Sequence, residues 1–296
     1  ETKPTLPEVT SQPETETATE PVTEVITQST TEQTKEAATK VEENLPYYIK
    51  VNRAFNCITV YAKNGSGDYN VPYKAFACSV GDYNPSNPNS EPTPLGVFHL
   101  SDKYEWGLMV DGSYGRYACR IYSDILFHSV PYLGGRVKNG LETDQYNKLG
   151  ENASLGCVRL NVRDAKWIFD NCPKGTAVEI YDDETTPGPL GKPDTIKIPE
   201  DSPYAGWDPT EEDPENPWNN FSATISGAAD ITIKKGDTVD ILEGVTATDK
   251  CGNDITERIE ASGNYDTKKV GTYKITYHVV DATGSEANAE INLVVE

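Results

Sequence analysis

From Tyr47 onward apolar residues recur at every second position in short runs, and this rhythm restricts the chain to sheets. Tyr48-Ile49-Lys50-Val51-Asn52 and Cys57-Ile58-Thr59-Val60-Tyr61 set it, and further strands are expected at 71–79, 95–101, 105–111, 116–122 and 125–130. Asn64-Gly65-Ser66-Gly67-Asp68 and Asp111-Gly112-Ser113 read as hairpin turns, and 82–92, rich in Pro, Asn and Ser, as a surface loop. A helical period shows once, over 162–171: Val162, Ala165, Ile168, Phe169 and Cys172 follow the capping residue Asn161, and Pro173-Lys174-Gly175 stops the run. The strand Ala177-Val178-Glu179-Ile180-Tyr181 closes this domain. The expectation is a mainly β protein: a β-sandwich with one or two short helices, then a smaller β-sandwich.

The flanking segments differ in texture. Residues 1–44 carry twelve Thr and ten Glu against three Lys and no aromatic residue. Such a composition cannot bury enough apolar surface to offset chain entropy, so a disordered tether is expected. Residues 184–220 are expected to be a stiff, acidic linker: 182–220 hold eight prolines and eleven Asp/Glu against two Lys. Tyr204, Trp207 and Trp218 are out of place in a solvated spacer, which predicts that part of it packs back onto a domain. In 221–296, Tyr273, Ile275, Tyr277 and Val279 alternate with polar positions, and Ile291, Leu293 and Val295 repeat the pattern. The first domain thus spans 45–183 and the last 221–296.

A formal net charge of −21 over 296 residues argues against a nucleic-acid partner and against anionic lipid. No apolar run approaches the ~20 residues of a membrane span. The chain opens on Glu1 with no signal peptide in view, and reads as the processed or truncated form of an exported protein. Cys57, Cys78, Cys119, Cys157, Cys172 and Cys251 include no C-x-x-C pair for zinc, and their pairing is not deducible from spacing. No metal or organic cofactor is implied.

The chemistry concentrates in Ser154-Leu155-Gly156-Cys157-Val158-Arg159-Leu160, with His128 upstream in Ile125-Leu126-Phe127-His128-Ser129-Val130. A cysteine nucleophile needs a base to make its thiolate and donors for an oxyanion. The imidazole supplies the first; the N–H groups of Gly156 and Cys157 are candidates for the second. Arg159 can hold a carboxylate through two donors. His99 and His278 lack such a setting and read as structural. A lone cysteine is more often a small buried hydrophobe, and the arrangement around Cys157 is what lifts it above that.

This arrangement resembles the signature of the YkuD-type L,D-transpeptidases, a His followed after a variable stretch by S-H-G-C-[IV]-R-[LM]. Thr93-Pro94-Leu95-Gly96-Val97-Phe98 resembles the family's T-P-x-G-x-F segment, and Val51-Asn52 with Ile58-Thr59-Val60-Tyr61 its opening hairpin. The resemblance covers roughly 46–183. Two departures bear on how the acyl acceptor binds: Leu155 stands where the family has His, and the stretch from His128 to Ser154 is longer than usual. The C-terminal module resembles the immunoglobulin-like domains of bacterial surface proteins.

What the resemblance implies is acyl transfer on peptidoglycan stem peptides at a cell wall or surface. Cys157 is then the nucleophile, His128 the base, Ser129 the carbonyl that orients it, and Gly156 part of the oxyanion loop. Arg159 and Ser154 would serve substrate binding and loop positioning. The segment 131–153 is expected to wall the cleft. The products would be 3→3 cross-links with release of D-alanine. Hydrolysis of the same thioester would make an L,D-carboxypeptidase, and a non-catalytic wall-binding or adhesive protein is the rival from another class. The C-terminal module is expected to bind wall polymer or a surface protein. A sortase also unites His, Cys and Arg in a β fold, but with its Arg on a separate strand; Arg159 lies two residues from Cys157.

Overall fold

The computed structural model describes residues 45–82, 84, 86, 87 and 90–296. The expected tether, 1–44, lies outside them. Strands β1 (Tyr47–Asn52), β2 (Cys57–Lys63), β3 (Tyr69–Ala77), β4 (Gly96–His99) and β9 (Ala177–Tyr181) form one sheet in the order β3-β2-β1-β9-β4. β5 (Lys103–Leu108), β6 (Tyr114–Tyr122), β7 (Ile125–Ser129) and β8 (Val158–Leu160) form the second in chain order, with β8 parallel to β7. Ile49, Val51, Ile58 and Val60 of the first sheet join Cys119, Ile121, Phe127, Val158 and Leu160 of the second in one core. All five residues of β7 are buried, which accounts for its apolar run being interrupted only by His128 and Ser129.

Helix α1 (Thr143–Tyr146) lies within the segment 131–153, and α2 (Val162–Asn171) follows β8 directly. Asn161 caps α2 by accepting from Asp164 N at 2.8 Å, and Val162, Ala165 and Ile168 face inward. The helix thereby holds the end of β8 fixed, three residues beyond Cys157.

The C-terminal module pairs β10 (Thr224–Ser226) with β12 (Thr246–Thr248). Its other sheet, in the order β11-β15-β14-β13, joins β11 (Ile231–Ile233), β15 (Glu286–Val295), β14 (Gly271–Val280) and β13 (Glu260–Ser262). The β14–β15 ladder runs from Gly271↔Val295 to Val280↔Glu286, which turns Ile275, Tyr277, Ile291 and Leu293 to the core.

Between the modules, 184–221 contains no strand, yet much of it is folded. Ile196, Ile198 and Trp218 share a core with Tyr132, Leu141 and Tyr146 of the first domain and Cys251 of the last. Asn253 Nδ2 donates to Lys197 O at 2.8 Å, and an Arg163 guanidinium nitrogen donates to Thr283 O at 2.9 Å. These contacts fasten the two modules together across the intervening segment.

Candidate active site

In the β7–β8 pairing His128 lies opposite Arg159 and Phe127 opposite Val158. Side chains alternate along a strand, so Phe127 and Val158 enter the core while His128, Arg159 and the preceding Cys157 share the other face. That face opens on a cleft of about 380 Å³, lined by all three together with Leu155 and the β5 edge from Tyr104 to Leu108. Burial of the imidazole is complete but for 1% of its surface.

The thiol sits in a braced loop. Gly156 has φ +133°, a conformation open to glycine. Gly81 packs so tightly on it that a Cβ there would stand 2.5 Å from Gly156 Cα. The Thr93 hydroxyl donates to Gly156 O at 2.7 Å and accepts from Gly81 N at 2.8 Å. Ser154 Oγ donates to Cys157 O at 2.5 Å and accepts from Gly156 N at 3.2 Å. The Gly156 N–H, expected to face an oxyanion, is thus turned toward Ser154. Cys157 Sγ itself approaches Asp124 O at 3.5 Å.

His128 Nδ1 lies 2.6 Å from Ser129 O. A carbonyl only accepts, so Nδ1 carries the proton and Nε2 is left with its lone pair. Burial drives the imidazole down to about 3, helped by Arg159 and opposed by the Ser129 carbonyl and Asp111. Burial also pushes the Cys157 thiol up to about 11, against the Leu126 N–H and Arg159, which favour the thiolate. Burial therefore favours the neutral forms of both the thiol and the imidazole on this cleft at neutral pH.

Arg159 is buried; one terminal nitrogen donates to Gln145 Oε1 at 2.9 Å and to Ala153 O at 3.1 Å, and its Nε has no hydrogen-bond partner. It lies between the first cleft and a polar one of about 710 Å³ that includes Asp82, Glu142, Gln145 and Glu151. Leu155 and Asp111 also line both. Of the residues singled out from sequence, Cys157, His128 and Arg159 meet on the cleft, whereas Ser129, Ser154 and Gly156 act behind it. His99 is exposed, and His278 Nδ1 lies 2.9 Å from Asn288 Oδ1 on the C-terminal module.

Residues 46–180 match the family model of the L,D-transpeptidase catalytic domain, YkuD, and residues 223–293 that of the Ig-like domain of bacterial surface proteins. Residues 46–180 are a YkuD-type L,D-transpeptidase catalytic domain. Among individual relatives, YciB of Bacillus subtilis (strain 168), provisionally assigned as an L,D-transpeptidase, is 32% identical over 124 residues, covering 40% of this chain and 59% of that protein. The pesticidal crystal protein Cry22Aa of Bacillus thuringiensis is 36% identical over 80 residues, 25% of this chain and 11% of that one. A solved L,D-transpeptidase from Mycobacterium smegmatis aligns at 19% identity and a TM-score of 0.35, over 46% of this chain and 59% of that chain. The chain thus spans 59% and 11% of the two curated relatives.

Within the L,D-transpeptidase domain, three supports were not read from the sequence as parts of the site. Thr93 entered only as part of the T-P-x-G-x-F resemblance, with no role of its own, and its hydroxyl braces the Gly156–Cys157 loop. Gly115 lies under the imidazole, where a Cβ would come 2.4 Å from Nδ1; a glycine inside a strand pattern is a signal of such close approach. The Asp124 carbonyl leaves no side-chain signature at all.

Proposed function

We propose that the domain is a cysteine-dependent L,D-transpeptidase forming 3→3 cross-links between peptidoglycan stem peptides. The observation that carries this reading is the presence of Cys157 and His128 on one cleft, with His128 Nδ1 committed to Ser129 O and Nε2 free to accept a proton. Cys157 Sγ attacks the carbonyl of the third residue of a stem tetrapeptide while Nε2 takes the thiol proton. Proton transfer accompanies attack, because neither group is charged beforehand. The Cys157 N–H is the oxyanion donor in this scheme, and Gly156 supplies the bend that presents it. The tetrahedral adduct collapses to a thioester, and D-alanine leaves with the proton from His128. The amine of a neighbouring stem's diamino acid then attacks the thioester, His128 takes its proton, and the thiol is regenerated.

Arg159, with an unpaired buried Nε, is suited to a substrate carboxylate. Leu155 occupies the rim shared by both clefts, so it bears on the acceptor's approach. Water in place of the amine makes an L,D-carboxypeptidase. The Ig-like domain of a bacterial surface type supports a place at the cell wall or surface, with wall polymer or a surface protein as its ligand. Among the described residues no helix is long and apolar enough to cross a membrane.

Mass spectrometry of disaccharide-tetrapeptide muropeptides, with Cys157→Ala beside the native chain, tests the reading. Dimers that have lost D-alanine are expected. Tripeptide monomers alone would shift the function to hydrolysis, and products identical to those of the variant would leave the adhesive role.

A further inference from the structure

The acidic stretch 204–218, whose aromatic residues a spacer does not call for, is the part of the chain the proposed reaction leaves unused. Asp208 is fully buried, and Glu211, Asn216 and Trp218 nearly so. Asp208 Oδ2 accepts from Val162 N at 2.8 Å and Thr210 Oγ1 from Arg163 N at 3.1 Å, so this stretch caps α2 from outside. Glu211 reaches further in. Its carboxylate pairs with the guanidinium of Arg116, a residue 1% exposed. Arg116 also lies 5.1 Å and 4.8 Å over the rings of Trp106 and Tyr117 and donates to the Tyr117 hydroxyl at 2.9 Å. Rings and a hydroxyl do not neutralise a buried cation; Glu211 does, and removing one partner of such a pair leaves an uncompensated charge.

Arg116 reaches the imidazole through its backbone. Its N–H donates to Ser129 Oγ at 2.9 Å, and Ser129 O holds His128 Nδ1 at 2.6 Å. The preceding residue is Gly115, where an added Cβ would meet the imidazole at 2.4 Å from Nδ1. The path of β6 at 115–116 therefore fixes where the imidazole can sit, and the Arg116 side chain anchors that path.

We propose that Glu211 is a positioning residue for His128, acting through Arg116, so that the segment after the catalytic domain completes its active site. The proposal rests on the reading of His128 as the base for Cys157. A chain ended at residue 183 would keep the whole sequence signature and lose the counter-charge.

The test uses the full chain with Glu211→Gln, Glu211→Asp, His128→Asn and a control, Glu215→Gln, which removes an exposed charge of the same stretch. Muropeptide turnover and melting temperature are measured for each. Glu211→Gln is expected to lower kcat by ~10–100-fold with KM within about twofold, as misplacement of a catalytic group does. Glu211→Asp should recover part of kcat, and Glu215→Gln should match the native chain. Native kcat in Glu211→Gln, with His128→Asn inactive, overturns this proposal alone; native turnover in His128→Asn overturns the base assignment beneath it. Should Glu211→Gln fail to fold, Glu211→Asp decides: a lowered kcat at unchanged KM supports the positioning role, and native kcat refutes it.

Discussion

Gly115→Ala tests the site at its tightest point. The added Cβ would stand 2.4 Å from His128 Nδ1, 2.8 Å from Cγ and 2.9 Å from His128 Cβ. Ordinary contact begins near 3.4 Å, so the ring must retreat by about 1 Å. A retreat of that size breaks the 2.6 Å contact with Ser129 O, and with it the reason for the proton to stay on Nδ1. Misplacement by ~1 Å costs about a hundredfold in rate, which is about 2.7 kcal/mol on the barrier. Overpacking adds a stability cost of about 1–3 kcal/mol. Turnover of the tetrapeptide measures the first and thermal melting the second. Alkylation of Cys157 by iodoacetamide above pH 11, where the thiolate forms without a base, should be unchanged. A kcat within twofold of native in a folded variant would refute the claim that Gly115 sets the imidazole's place.

Three further outcomes are expected. Thr93→Val keeps the shape and removes the hydroxyl between Gly81 N and Gly156 O, leaving two buried groups unpaired; a loss of about 2 kcal/mol or more is expected from denaturant midpoints, together with lower turnover. His128 is held neutral by the fold, so the unfolded chain binds a proton that the native one refuses. Its contribution is present above pH 6.5 and falls with pH toward about 3, reaching a loss of about 2 kcal/mol by pH 5; His128→Gln should flatten that part of the stability–pH curve. Asp208→Ala strips the buried acceptor of Val162 N and of the Thr210 hydroxyl, and melting should show about 2 kcal/mol lost. An unchanged melting temperature would mean that α2 is held by Asn161 alone.

The elements that could be read along the chain were those that local periodicity specifies. The helix after Asn161 begins and ends where its cap and Pro173 dictate, because both signals lie within a few residues of the element. Strand centres were equally legible, while β5 starts at Lys103 and stops at Leu108 because the hairpin pairs Leu108 with Tyr114 and leaves Met109 and Val110 in its turn. The short helix Thr143–Tyr146 gave no period, since only Tyr146 is buried in it. At the site, cysteine and imidazole were visible as residue types in a pattern. What holds them was not, because Thr93, Gly115 and Glu211 act across contacts with residues 12 to 95 positions away.

The same separation between legible groups and illegible surroundings governs the chemistry. The sequence suggests a thiol activated in advance by its imidazole. Yet burial moves the two groups in opposite directions, to about 11 and about 3, and so disfavours an ion pair between them. Arg159 does not set this difference, because it lowers both groups alike: it favours the thiolate and opposes the imidazolium. A substrate carboxylate drawn to Arg159 would offset that positive charge and make protonation of His128 easier at the moment of attack. In the proposed reaction substrate binding then bears on the base through one guanidinium, and Cys157 is expected to react slowly with iodoacetamide at neutral pH, because burial disfavours its thiolate.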